Sequence, residues 1–150
     1  MKRSKLVTCV AIASCMFLLS DASIAQEKSQ AVAAVHAKYK VVFQVSDADP
    51  KKWGIALNNI KNVQEDLGKD NVTVELVAYG PGIGMLKFDS EVSGRIGEAV
   101  AAGVKVVACE NTMEGQHLTR DDMNPATGYA HAGVVEIMKL QQDGYAYIRP

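Results

Sequence analysis

From residue 40 onward, apolar positions follow two alternating rhythms. Val41-Val42-Phe43-Gln44-Val45 is a near-continuous β-branched run, the pattern of a strand covered on both faces. Trp53, Leu57, Ile60, Val63 and Leu67 then recur at helical spacing, with Asn58, Asn59 and Asn62 largely off that stripe. Asp49 can cap this helix, Pro50 suits its first position and Gly68 ends it. A second strand, Val72–Tyr79, runs into Gly80-Pro81-Gly82-Ile83-Gly84, which predicts a sharp loop. Ser90 is the expected cap of a helix in which Val92, Ile96, Ala99 and Val100 share a face. Gly94 and Gly97 weaken that helix, so they are expected to permit close packing; Gly103 terminates it. The third strand is Val104–Ala108, and Cys109 follows it. Residues 110–118 predict a short helix and 119–131 a long connection. Residues 133–144 predict a helix closed by Gly144, and 145–150 a last short strand.

The order βαβαβ(α)αβ, with short connections, predicts an α/β fold. It is expected to be a flavodoxin-like open, mostly parallel sheet with helices on both faces. Chemistry in such sheets sits beyond the carboxyl ends of the strands. Three loops converge there: Ser46–Asp49, Gly80–Gly84 and Cys109–Thr112.

The N-terminus has a different grammar. Lys2, Arg3 and Lys5 precede an uncharged apolar run, Leu6–Ser20, and Ser23-Ile24-Ala25 offers a small-x-small cleavage site. Residues 1–25 are therefore expected to be a signal peptide, and the mature protein to be periplasmic. The apolar run is short for a membrane span. Ile12-Ala13-Ser14-Cys15 has the shape of a lipobox, but Met-Phe-Leu-Leu follows where a lipidated end should enter water. Residues 26–38 are polar and alanine-rich, a flexible lead-in; residues 39–150 form one domain.

Cleavage changes the chemistry. It removes Cys9 and Cys15 and leaves Cys109 as the single thiol. Loss of Lys2, Arg3, Lys5 and Asp21 from 16 basic and 17 acidic residues leaves a formal charge of −3. An acidic, aromatic-poor domain carries no nucleic-acid footprint. No later run is long enough to span a membrane. Cys109 has no intramolecular disulfide partner, so it is inert and buried, paired between chains, or chemically used.

Its placement favours chemistry. At the start of a helix, the N–H groups from about Asn111 to Met113 can face the sulfur and stabilise the thiolate, the nucleophile of sulfur exchange. Glu110 opposes this unless it points away. Gly80, Pro81 and Gly82 are expected to turn tightly, their N–H groups forming one wall of the thiol pocket. His117, eight residues on, is aligned with Cys109 but about 12 Å along the helix axis. His36 lies in the lead-in; His131 lies in a loop and can fold back over the site, though nothing in the spacing requires it. Asp47 and Asp49 are expected to be caps. No residue set has metal-ligand spacing. Gly80-x-Gly82-x-Gly84 follows the second strand and lacks the full dinucleotide fingerprint. Ser46–Lys52 lacks the Gly and Thr suited to a flavin phosphate. No metal or cofactor is expected.

KYKVVFQVSDADPKKW, ALNNIKNVQEDLG, VELVAYGPGIGML, GVKVVACENTM and the closing GYAYIRP resemble the DsrE/DsrF-like family, closest to its small exported members. The resemblance implies a flavodoxin-like subunit that assembles into homo- or hetero-oligomers. In cytoplasmic relatives, the sulfur-relay subunits of the Tus complex and the dissimilatory Dsr proteins, a cysteine after the third strand carries sulfur as a persulfide. Cys109 matches that position. Glu110-Asn111-Thr112-Met113 departs from the small apolar residues common there, and export removes the cytoplasmic partners. The implied function is a sulfur carrier: Cys109 takes a sulfane sulfur and passes it to a thiol-bearing partner, with Asn111 and Thr112 holding the sulfur by backbone N–H groups. The alternative is a non-enzymatic oligomeric binding module with a structural cysteine. A redox sensor is disfavoured by the lack of a resolving cysteine.

Overall fold

The computed structural model describes residues 39–150. The expected signal peptide 1–25 and lead-in 26–38 lie outside the described residues. Among the described residues five strands form one sheet: β1 Tyr39–Val45, β2 Val72–Ala78, β3 Lys105–Cys109, β4 Gly128–Ala130 and β5 Ala146–Ile148. Their order is β4-β3-β2-β1-β5, and every neighbouring pair is parallel. Among the described residues four α-helices connect them: α1 Pro50–Leu67, α2 Ser93–Ala101, α3 Glu110–Gly115 and α4 Gly133–Gln142. The arrangement is α/β and flavodoxin-like, as the element order predicts.

Handedness decides which helix covers which face. From β1 to β4 the chain steps one strand at a time in a single direction. Right-handed crossovers then put the connecting elements on one side, and the return from β4 to β5 puts α4 on the other. The core follows this division. Val41, Phe43 and Val45 of β1, Val74 and Leu76 of β2, and Val106 and Ala108 of β3 pack with Trp53, Leu57 and Ile60 of α1 and Ile96 of α2. Met113 of α3 joins the same layer. Their alternates Val42, Val77 and Val107 face Ile137 and Leu140 of α4 in a smaller cluster. Cys109 has the parity of Val107, so it faces the α4 side.

Local chemistry matches the predicted start of α1. Asp49 accepts a hydrogen bond from the Lys51 N–H at 2.9 Å, with Pro50 in the first helical position. Several boundaries differ from the sequence expectation, each for a physical reason. The loop after β2 is a 3-10 helix, Gly80–Leu86, because Ile83, Met85 and Leu86 are buried and pull it inward. Helix α2 begins at Ser93, not after Ser90; the Ser90 hydroxyl is only 3.4 Å from the Val92 N–H, while its carbonyl accepts from Ser93 in a turn. Gly94 and Gly97 do not mediate close packing: a Cβ at either would meet nothing within 4 Å. Helix α3 ends at Gly115, short of residue 118.

The connection 119–131 contains two elements of its own. Thr119 and Asp122 make a capping box around the 3-10 helix Arg120–Asp122. Gly128–Ala130 then adds edge strand β4 beside β3. Three residues are too few to show a period, so only pairing identifies this strand.

Candidate functional site around Cys109

Cys109 is both the last residue of β3 and the residue preceding α3. Its free thiol is buried, at 5% exposure. Two chain segments enclose it. On one side α3 begins directly at Glu110. On the other the start of α4 packs against the sheet. A Cβ on Gly133 would lie 3.1 Å from the Cys109 Cβ, 3.2 Å from the Tyr79 Cβ and 3.3 Å from Val77 Cγ1. Only glycine lets α4 approach this closely.

The electrostatics are a contest. Burial pushes the thiol up. The Thr112 hydroxyl, and the N–H groups of Gly133, Thr112 and Asn111, favour the anion and bring the net direction below the ordinary cysteine value. These groups act on the sulfur mainly as dipoles. The thiol's own contact is with the His131 carbonyl, at 4.0 Å the outer limit for sulfur. The Asn111 N–H is largely spent on that same carbonyl, at 3.0 Å. The Thr112 side chain, rather than a row of free first-turn N–H groups, thus contributes most to lowering the thiol.

Glu110 is turned away. Its Oε1 accepts from Arg120 Nη2 at 2.8 Å, and the Arg120 guanidinium lies over the Tyr129 ring, 4.3 Å from its centroid. The carboxylate that stands next to the thiol in sequence is held by a cation on the connection to β4.

The Gly80 segment joins the site differently from the expectation. The Gly80 N–H donates to Thr112 Oγ1 at 3.0 Å, and the Gly82 N–H is spent on the Tyr79 carbonyl at 3.1 Å. These two N–H groups brace the fold and are not offered to a ligand. Gly82 serves packing: a Cβ there would lie 2.7 Å from the Val45 carbonyl carbon and 2.8 Å from the Ser46 Cα. Pro81 is exposed between them.

Cys109, Asn111, Thr112 and Gly80 are therefore brought together, with Gly82 one step behind. His117 is exposed at the end of α3, with a left-handed φ of 54°. His131 contributes its carbonyl while its residue is exposed. Asp47 is drawn elsewhere: Lys52, at 3.1 Å, and Arg149, at 3.5 Å, hold its carboxyl below the usual range, and its carbonyl accepts from Trp53 Nε1. Sequence reasoning missed Gly133 and Arg120 as members of the site. A glycine opening an otherwise apolar helix was the one available signal of close backbone approach. Among the described residues, no group of three His, Cys, Asp or Glu is placed to hold a metal ion. None of their helices is long and apolar enough to cross a membrane.

A model of the DsrE/DsrF-like family matches residues 16–150. The chain belongs to the DsrE/DsrF-like family. Among solved structures, the protein of unknown function MTH1491 from Methanobacterium thermoautotrophicum is similar, with 36% identity and a TM-score of 0.72 over 75% of this chain and 99% of that one. BT1422 from Bacteroides thetaiotaomicron, also of unknown function, shares the fold at 16% identity and a TM-score of 0.63, over 78% of this chain and 99% of its own. The ychN protein of E. coli does so at 12% identity and 0.61, over 77% of this chain and 100% of its own. No protein with a curated description matches. Within this DsrE/DsrF-like chain, the single described cysteine occupies the carboxyl edge of the sheet.

Proposed function

We propose that the chain is a periplasmic sulfur carrier that works through a persulfide on Cys109. Membership of a family associated with sulfur relay supports this reading. The observation that carries it is the placement of Cys109 at the carboxyl edge of β3 and the start of α3, where the Thr112 hydroxyl and nearby N–H groups favour the thiolate against burial. In the proposed step, the Cys109 thiolate attacks the outer sulfur of a donor R–S–SH. The S–S bond of the donor breaks, R–S⁻ leaves, and the outer sulfur keeps its proton as Cys109–S–SH. A partner thiolate then attacks that outer sulfur, and Cys109 leaves as the thiolate. No external oxidant is needed. The partners are a thiol-bearing donor or acceptor protein and further copies of the chain.

Export through residues 1–25 belongs to the same proposal. It is supported by the basic start, the apolar run and Ser23-Ile24-Ala25. Protein from the periplasmic fraction should begin at Gln26; retention of residues 1–25 would overturn it. Self-association is supported by an exposed apolar strip on α4, with Val134 at 61% and Met138 at 51% exposure beside Val135. Light scattering should give at least twice the subunit mass.

The deciding experiment is intact mass after mixing with an inorganic polysulfide or an organic persulfide. One added sulfur, lost in Cys109→Ser, supports the carrier. The burial of Cys109 favours a second reading, a non-enzymatic oligomeric binding module with a structural cysteine. No adduct on the native protein would leave that reading in possession.

A further inference from the structure

Gly80 is tied to the α3 segment at both ends. Its N–H donates to Thr112 Oγ1 at 3.0 Å, and its carbonyl accepts from Gln116 Nε2 at 3.2 Å. Thr112 and Gln116 lie one helical turn apart, so a single side of that segment grips one glycine. Gly80 has φ of +54°, and a Cβ there would meet nothing within 4 Å. Its need for glycine is conformational and not steric.

The grip matters because of what a threonine hydroxyl does when left alone. It carries one proton and two lone pairs. In a helix it tends to turn back to the carbonyl three or four residues earlier. The Gly80 N–H occupies a lone pair of Thr112 Oγ1 and so restrains the rotor, while the hydroxyl is among the groups that draw the Cys109 thiol downward.

We infer that Gly80 and Gln116 are positioning residues for the thiol: by clamping the loop after β2 to α3, they hold the Thr112 hydroxyl as a donor to Cys109. The inference rests on the reading of Cys109 as the working thiol. Neither residue is placed on the sulfur itself; both act through Thr112.

The test is the pH dependence of Cys109 alkylation in the full chain, resolved by peptide mass. Thr112→Val should move the midpoint upward, and Thr112→Ser should keep it near the parent. Gln116→Met should slow alkylation below the midpoint by roughly twofold, the scale of one exposed hydrogen bond acting through another. Gly80→Ala keeps both peptide groups but disfavours the left-handed backbone, and should shift the midpoint in the same direction. The discriminating arm is the double variant. In the Thr112→Val background, Gln116→Met should add nothing. An unchanged profile for Gln116→Met, an equal shift in both backgrounds, or a thiol unreactive until denaturation would each overturn the inference. Persulfide formation is read separately by intact mass. Coupling without an adduct would sink the carrier and keep the clamp; an adduct without coupling would do the reverse. Gln116 is exposed, so its variant tests the clamp without burdening the core.

Discussion

Glu110 and Arg120 show how much one contact changes the chemistry of a neighbour. Adjacent to Cys109 in the chain, Glu110 should oppose the thiolate, yet its carboxylate is drawn 2.8 Å from Arg120. Glu110→Gln is therefore expected to leave the titration of Cys109 nearly unchanged. Arg120→Ala should release the carboxylate and raise the thiol midpoint by roughly half a unit, the scale of an exposed charge pair. Alkylation against pH checks both. A marked downward shift in Glu110→Gln would mean that the carboxylate faces the sulfur after all. The sequence carried the identity of the thiol and the sign of its neighbour. It carried nothing on where that neighbour turns, since Arg120 approaches only after the chain has passed α3.

At the scale of elements, two sets of glycines that look alike in the chain behave oppositely. Gly133 is wedged against Cys109, Tyr79 and Val77. Gly133→Ala should force the start of α4 outward, cost about 1–3 kcal/mol as overpacking does, and raise the Cys109 midpoint by withdrawing an N–H. Urea unfolding and alkylation measure the two effects, and a variant as stable as the parent would contradict the wedge. Gly94 and Gly97 face open space on α2. Alanine at either should stabilise by about 0.5–1 kcal/mol, because glycine is the poorer helix former. A loss of stability would contradict the open space on this face. The helices and the three longer strands were legible because their apolar periods are local. The contrast between these glycines was not, because crowding at a glycine is a property of what arrives from elsewhere.

Across the whole molecule, one buried carboxylate ties three elements together. Glu75 of β2 lies on the α4 side of the sheet, its Oε1 3.0 Å from Lys105 Nζ on β3. The same Nζ reaches Glu136 of α4 at 3.2 Å. The Glu75 contact is close enough for an ion pair while missing the angular geometry of a hydrogen bond, so Oε1 is incompletely satisfied. Burial pushes the Glu75 carboxyl up; Lys105 pulls it back without cancelling the rise. A raised acid contributes stability that is full below its unfolded value, about 4.3, and is lost as pH rises through its folded value. Relative to the parent, Glu75→Gln should therefore gain stability as pH climbs from about 4 upward, whatever constant offset the lost ion pair imposes. Urea midpoints across that range are the measurement; parallel curves would refute the raised carboxyl.

The amino-acid pattern was enough for the order of the longer elements, the parallel α/β fold and a cysteine where a strand gives way to a helix. Each follows from apolar periods and end signals within a few residues of one another. Tertiary structure alone decided the rest. Thr112 meets Gly80 from 32 positions away because β2 and β3 are paired in a particular register. Gly133 meets Cys109 because the return crossover to β5 places α4 on the face to which Cys109 points. Edge strand β4 exists because β3 offers it hydrogen bonds, not because three residues specify it. A thiol's reactivity depends on dipoles and charges within a few ångströms, and around Cys109 most of these come from distant parts of the chain.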